Sequence, residues 1–122
     1  PASGRHYAEE FENGFFDEAT LSNRPGDLAG YLVHNLEHGY VIFWYNCAKL
    51  DETACNNLKS EIKTVMNAKN NFKLIAVPWE SIDDPLVMTS WGRLQRFEQF
   101  DERLVRNFVE SNINRAPESG AQ

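Results

Sequence analysis

The three histidines of this chain fall in two short segments. His6 lies in Pro1-Ala-Ser-Gly-Arg-His6-Tyr7, and His34 and His38 lie in His34-Asn-Leu-Glu37-His38-Gly39. Imidazole is the commonest side-chain ligand of transition metals, and a pair spaced i, i+4 converges on one ion when its backbone is helical. With His6 as a third nitrogen donor, such a site holds a metal and keeps at least one coordination position open. Met88 offers a soft thioether as a further ligand. Three imidazoles with a thioether or a water suit copper, with zinc as the alternative, better than calcium or magnesium. The competing reading makes each histidine a hydrogen-bonded packing residue and Met88 a core residue. Met66, on the apolar face of a helix, reads as core.

Glu37 completes the string His-x-x-Glu-His, the inverted zinc-peptidase pattern in which the carboxylate is a general base. Such enzymes are far larger and take a further ligand from a distant helix. A more modest role suits Glu37 here: orienting an imidazole N–H, or pairing with Arg5. If the chain is an enzyme, Glu37 is its one sequence candidate for a catalytic acid or base. Other constellations are missing from the sequence, which has no Gly-x-Ser-x-Gly, no phosphate-cradling glycine loop and no supported Cys-His pair.

These residues need a scaffold, and apolar patterning outlines one. Tyr40 to Tyr45 is continuously apolar, rich in aromatic and β-branched residues, and reads as a central strand covered on both faces. Leu58, Ile62, Val65 and Met66 recur at helical spacing. Phe72 to Val77 reads as a second buried strand stopped by Pro78, and Leu86 to Trp91 as a third. Arg93 to Phe97 then returns as a fourth, across a turn at Gly92, where the adjacent Trp91 indole is expected to plug the end of the sheet. Asp101 caps a final helix bearing Leu104, Val105, Phe108 and Val109.

The expected fold is therefore α/β: a mixed sheet with two helices, in the order strand-helix-strand-strand-strand-helix. A thioredoxin-like core fits that order, and a generic α+β sandwich is the alternative. Residues 1–30, with Asn13-Gly14 and Pro25-Gly26, are expected to form an irregular arm over the core, pinned by Tyr7, Phe11, Phe15 and Phe16. Residues 115–122 are expected to fray.

The chain has 122 residues, enough for one domain spanning 1–122 with a hydrophobic core that needs no metal for stability. A formal net charge of −6, with no run of Lys or Arg, argues against nucleic acid as a partner and favours cation capture. No apolar stretch approaches the roughly 20 residues of a membrane helix, and the chain begins at Pro1 rather than Met. An excised ectodomain or processed chain is expected, with any signal peptide or membrane anchor lying outside it. Cys47 and Cys55 flank a short polar loop that a disulfide would close, which favours an oxidising compartment; two unpaired thiols are the alternative. The Cys-x-x-Cys spacing of redox-active thiols is missing.

Several of these strings carry a family resemblance: Pro1 to Tyr7, Val33-His34-Asn-Leu-Glu37-His38-Gly39-Tyr-Val-Ile, Thr89-Ser-Trp91-Gly92-Arg93, Phe100-Asp101-Glu, and Arg115-Ala-Pro117-Glu118. Together they resemble the DUF3105 family of uncharacterised proteins nearly end to end. The resemblance implies an exported or membrane-anchored protein, and it places the family's histidines at His6, His34 and His38. It weakens Met88, because the family commonly carries an aliphatic residue just before the Thr-x-Trp-Gly string. The functional expectation is an extracytoplasmic metal-binding protein that handles copper through three histidines. The alternatives are a metal-dependent hydrolase or oxidase with an open coordination site, and an interaction module whose histidines are structural.

Overall fold

The computed structural model describes residues 11–21 and 28–116. One mixed sheet runs through it, made of β1 (Gly14–Phe15), β2 (Val41–Tyr45), β3 (Leu74–Pro78), β4 (Leu86–Ser90) and β5 (Arg93–Phe97), in the spatial order β1-β3-β2-β4-β5. β3 is parallel to both β1 and β2, while β4 is antiparallel to β2 and β5. Among the described residues four α-helices accompany the strands, two more than expected: α1 (Glu18–Leu21), α2 (Leu28–Glu37), α3 (Glu52–Asn67) and α4 (Glu102–Asn112), with a 3₁₀ turn over Cys47–Lys49. The fold class is thus the mixed α/β arrangement expected. Both finer readings, thioredoxin-like and α+β sandwich, are compatible with it.

Strand alternation sends the core to both sides of the sheet. Val41, Phe43 and Tyr45 of β2 pack with Leu74, Ala76, Leu86 and Met88 against Leu58, Ile62, Val65 and Met66 of α3 and Val105, Phe108 and Val109 of α4. Ile42, Ile75 and Val77 face the other way, against Tyr31 and Leu32 of α2 and the aromatics Phe11 and Phe16. Two-sided coverage explains why β2 and β3 carry no alternating polar residues. α3 begins where the Asp51 side chain accepts from Ala54 N at 2.7 Å, and α4 where Asp101 does the same for Leu104 N at 3.1 Å.

Three local expectations need correction. The arm over 1–30 is not irregular throughout: within its described part, Gly14–Phe15 forms an edge strand on β3 and Glu18–Leu21 a helical turn. Phe15 stacks on Tyr45 at 5.4 Å under the Lys63 ammonium, and the Tyr45 hydroxyl donates to the Phe16 carbonyl at 2.6 Å. Two residues are too few to leave an alternating pattern, so this strand left no periodic signal. Burial pushes the Tyr45 phenol well above its ordinary pKa. Next, β3 starts at Leu74 rather than Phe72, because Asn70, Asn71 and Lys73 adopt left-handed conformations that turn the chain out of α3. Finally, Trp91 does not plug the sheet. It forms, with Gly92 at φ +76°, the two-residue tip of the β4–β5 hairpin and is exposed.

Candidate metal centre at the end of α2

His34 lies in the last turn of α2 and His38 one residue beyond it, where His38 N–H donates to the Asn35 carbonyl and continues the helical path. The helical i, i+4 spacing therefore does what the sequence suggested: the two imidazoles lie side by side, ring centroids 4.5 Å apart and planes inclined at 47°. Glu37 lies beside His34. Its Oε1 sits 3.4 Å from His34 Nδ1. A carboxylate against Nδ1 favours the tautomer with the proton there, which leaves the lone pair on Nε2. That Nε2 is buried and, among the described residues, has no hydrogen-bond partner. A buried nitrogen acceptor without a partner is costly in a packed protein and is satisfied by a proton donor or a cation.

The local framework is stiff. Gly39 terminates the helix at φ +91°, and a Cβ there would stand 2.7 Å from Asn114 Cα, so only glycine lets the chain pass. Asn114 N–H donates to the Gly39 carbonyl at 2.7 Å, which ties the exit of α4 to the exit of α2. Lys73, almost fully buried, donates to the His38 carbonyl and to Asn114 Oδ1, both at 2.7 Å. A cation on the last carbonyls of a helix also suits the helix dipole. Next to His34 in α2, the fully buried Asn35 amide holds Phe11 by both backbone groups, accepting from its N–H at 2.9 Å and donating to its carbonyl at 3.0 Å.

Lys73, Asn114 and Asn35 were not singled out by sequence reasoning. Asn35 stands inside the histidine string, where a polar residue between helical apolar positions is a signal. Lys73 stood inside an apolar run, and its charge was the clue that the strand had not yet begun.

His6 and Arg5 lie outside the described residues. Met88 is in a different layer: it is fully buried on the α3/α4 face, whereas the histidine helix covers the other face. The structure does not bring it to the imidazoles. Among the described residues, no group of three or more His, Cys, Asp or Glu side chains is gathered to hold a metal.

At the far end of β2, Cys47 and Cys55 are joined in a disulfide with Cα atoms 5.2 Å apart. The bond fastens the 3₁₀ turn to the first turn of α3. The buried Asn46 completes that corner, accepting from Ala48 N–H and donating to the Ile82 carbonyl. A disulfide is compatible with an extracellular location. Among the described residues, no helix is long and apolar enough to cross a membrane.

Fold and site together define a mixed α/β protein, stapled by one disulfide, with a braced histidine pair at a helix end. Residues 1–122 match the family model described as "Protein of unknown function (DUF3105)", and the chain belongs to that family. No curated protein and no solved structure matches it.

Proposed function

We propose that this chain is an extracytoplasmic metal-binding protein that handles copper through His34 and His38, with His6 as the third nitrogen ligand. The observation that carries the reading is His34 itself. Its Nδ1 faces the Glu37 carboxylate, its Nε2 is buried with no hydrogen-bond partner among the described residues, and a second imidazole lies beside it. A divalent ion bound there takes the lone pair that the fold leaves unused. Imidazole donors favour Cu(II) over Zn(II) on the general affinity order of divalent metals, which makes copper the first choice and zinc the alternative. Glu37 acts as the orienting carboxylate, and the disulfide fits residence in an oxidising compartment.

The test is a competition titration of the purified chain with Cu(II), Cu(I) and Zn(II). One equivalent of copper is expected to bind, with Cu(II) preferred to Zn(II). Glu37→Gln is expected to weaken binding by about 10-fold or more, as for other carboxylates that orient a ligating imidazole. His6→Ala is expected to weaken it as well. Unchanged copper affinity in the His34→Ala, His38→Ala double variant would overturn the proposal.

A further inference from the structure

Among the described residues, β5 is the terminal strand of the sheet on the side away from β1, and it is short, exposed and basic. Its hairpin with β4 closes through Trp91-Gly92, with Ser90 opposite Arg93. In such a two-residue turn the flanking pair is hydrogen-bonded, and bonded and non-bonded pairs then alternate along the ladder. Arg93, Gln95 and Phe97 therefore turn their backbone groups inward to β4. Leu94 and Arg96 turn theirs outward, away from the sheet.

Three features surround this outward-facing edge. Between β5 and α4 runs an open groove of about 490 Å³ lined, among the described residues, by Arg93, Leu94, Gln95, Phe108, Ser111 and Asn112, none of them acidic. Leu94 and Trp91, 57% and 42% exposed, are large apolar side chains at the same edge. Arg93 and Arg96 lie on opposite faces of the strand, by alternation, and both are exposed; Arg96 reaches an Asp84 oxygen at 3.5 Å.

We propose that the β5 edge is a docking site for an extended acidic segment of a partner protein, which adds to the sheet as a further strand. Main-chain bonds to Leu94 and Arg96 supply the register, as in other cases of strand addition. Side chains on one face of the added segment enter the groove against Phe108, and those on the other face cover Leu94. Carboxylates on the segment meet Arg93 and Arg96.

A second copy of the chain is the wrong occupant. Self-pairing centred on Gln95 would set Arg96 opposite Leu94 and Arg93 opposite Phe97, so neither arginine would meet a carboxylate across the seam. The chain's net charge of −6 does not exclude an acidic peptide, because at physiological ionic strength distant charges are screened beyond about 8 Å, whereas Arg93 and Arg96 lie at the edge itself, Arg96 sharing its charge with Asp84. This inference is independent of the metal proposal, since β5 and the histidine pair share no residue.

The probe is a seven-residue peptide, acetyl-Thr-Val-Glu-Val-Glu-Val-Thr-amide, titrated into the ¹⁵N-labelled full chain beside a control with Lys in place of each Glu. The acidic probe is expected to shift and protect the Leu94 and Arg96 amides from exchange, and to bind about 10-fold more tightly than the basic control. Arg93→Glu combined with Arg96→Glu is expected to reverse that preference. Leu94→Pro removes an outward N–H without costing a ladder bond; it is expected to abolish protection at Arg96 while leaving the remaining spectrum folded. The proposal is overturned by equal binding of the two probes, by no binding of the acidic one, by shifts that avoid β5, or by dimerisation of the free chain through β5 in sedimentation.

Discussion

The two ends of β2 are built in opposite ways. At its carboxyl end the strand runs into a covalently closed corner, where the Cys47–Cys55 bond and the Asn46 amide leave the turn fixed. At its amino end the strand is reached through His34, His38 and Gly39, braced by Lys73, Asn114 and Asn35, yet His34 keeps a buried nitrogen without a hydrogen-bond partner among the described residues. Both ends are held firmly, so rigidity alone does not mark a functional site. What separates them is that the disulfide corner satisfies its buried side chain by bonds within the fold, whereas the histidine end spends its bracing on positioning an acceptor that the fold leaves unused.

The largest effect is expected from breaking the amino end at its tightest point. Gly39→Ala places a Cβ against the Asn114 backbone in a left-handed conformation, and should lower stability by about 3 kcal/mol in urea unfolding. Gly92→Ala is the matched control, because its φ is also positive but nothing lies within 4 Å of the added carbon; a cost near 1 kcal/mol is expected there. Similar costs at the two glycines would contradict the bracing assigned to Gly39.

At the carboxyl end, the Cys47→Ala, Cys55→Ala double variant should lose about 2 to 3 kcal/mol, since the bond closes a loop with a sequence separation of 8. Its copper affinity should stay unchanged, which separates the staple from the metal site. A parallel loss of affinity would show that the two ends are not independent.

Lys73→Met should cost about 2 kcal/mol through loss of charge-assisted bonds to His38 O and Asn114 Oδ1. Unlike the cysteine variant, it should also weaken metal binding, because it loosens the turn that carries His38.

The smallest effect lies beside the carboxyl end of β2, outside both the disulfide corner and the histidine pair. The backbone N–H and then the hydroxyl of Thr20 hold the Asp17 carboxyl below its ordinary value of 3.8. A depressed carboxylate contributes stability above that value and loses it as pH falls through the folded-state pKa. Thr20→Val keeps the backbone bond and removes the hydroxyl, so the Asp17 titration followed by carbon NMR should move up only part of the way.

Much of this scaffold was legible in the sequence. The strands over 41–45, 86–90 and 93–97, and α3 and α4 with its Asp101 cap, follow from strong apolar periodicity and cap chemistry. The side-by-side histidines were legible because helical spacing alone fixes the relation between i and i+4. What escaped was set by contacts distant in the chain. The two-residue β1 exists because β3 offers it an edge, and the brace at Gly39 comes from Asn114, which follows α4. Met88 illustrates the same limit: a strand pattern tells which residues share a face, but not that α2 covers the opposite one.

The central claim is tested most directly by titrating Cu(II) into the intact chain and into the His34→Ala, His38→Ala variant under identical competitor conditions. The account predicts one tightly held copper in the former and loss of that site in the latter, with the unfolding transition of the metal-free variant largely preserved. Equal copper affinity in the two proteins would contradict it.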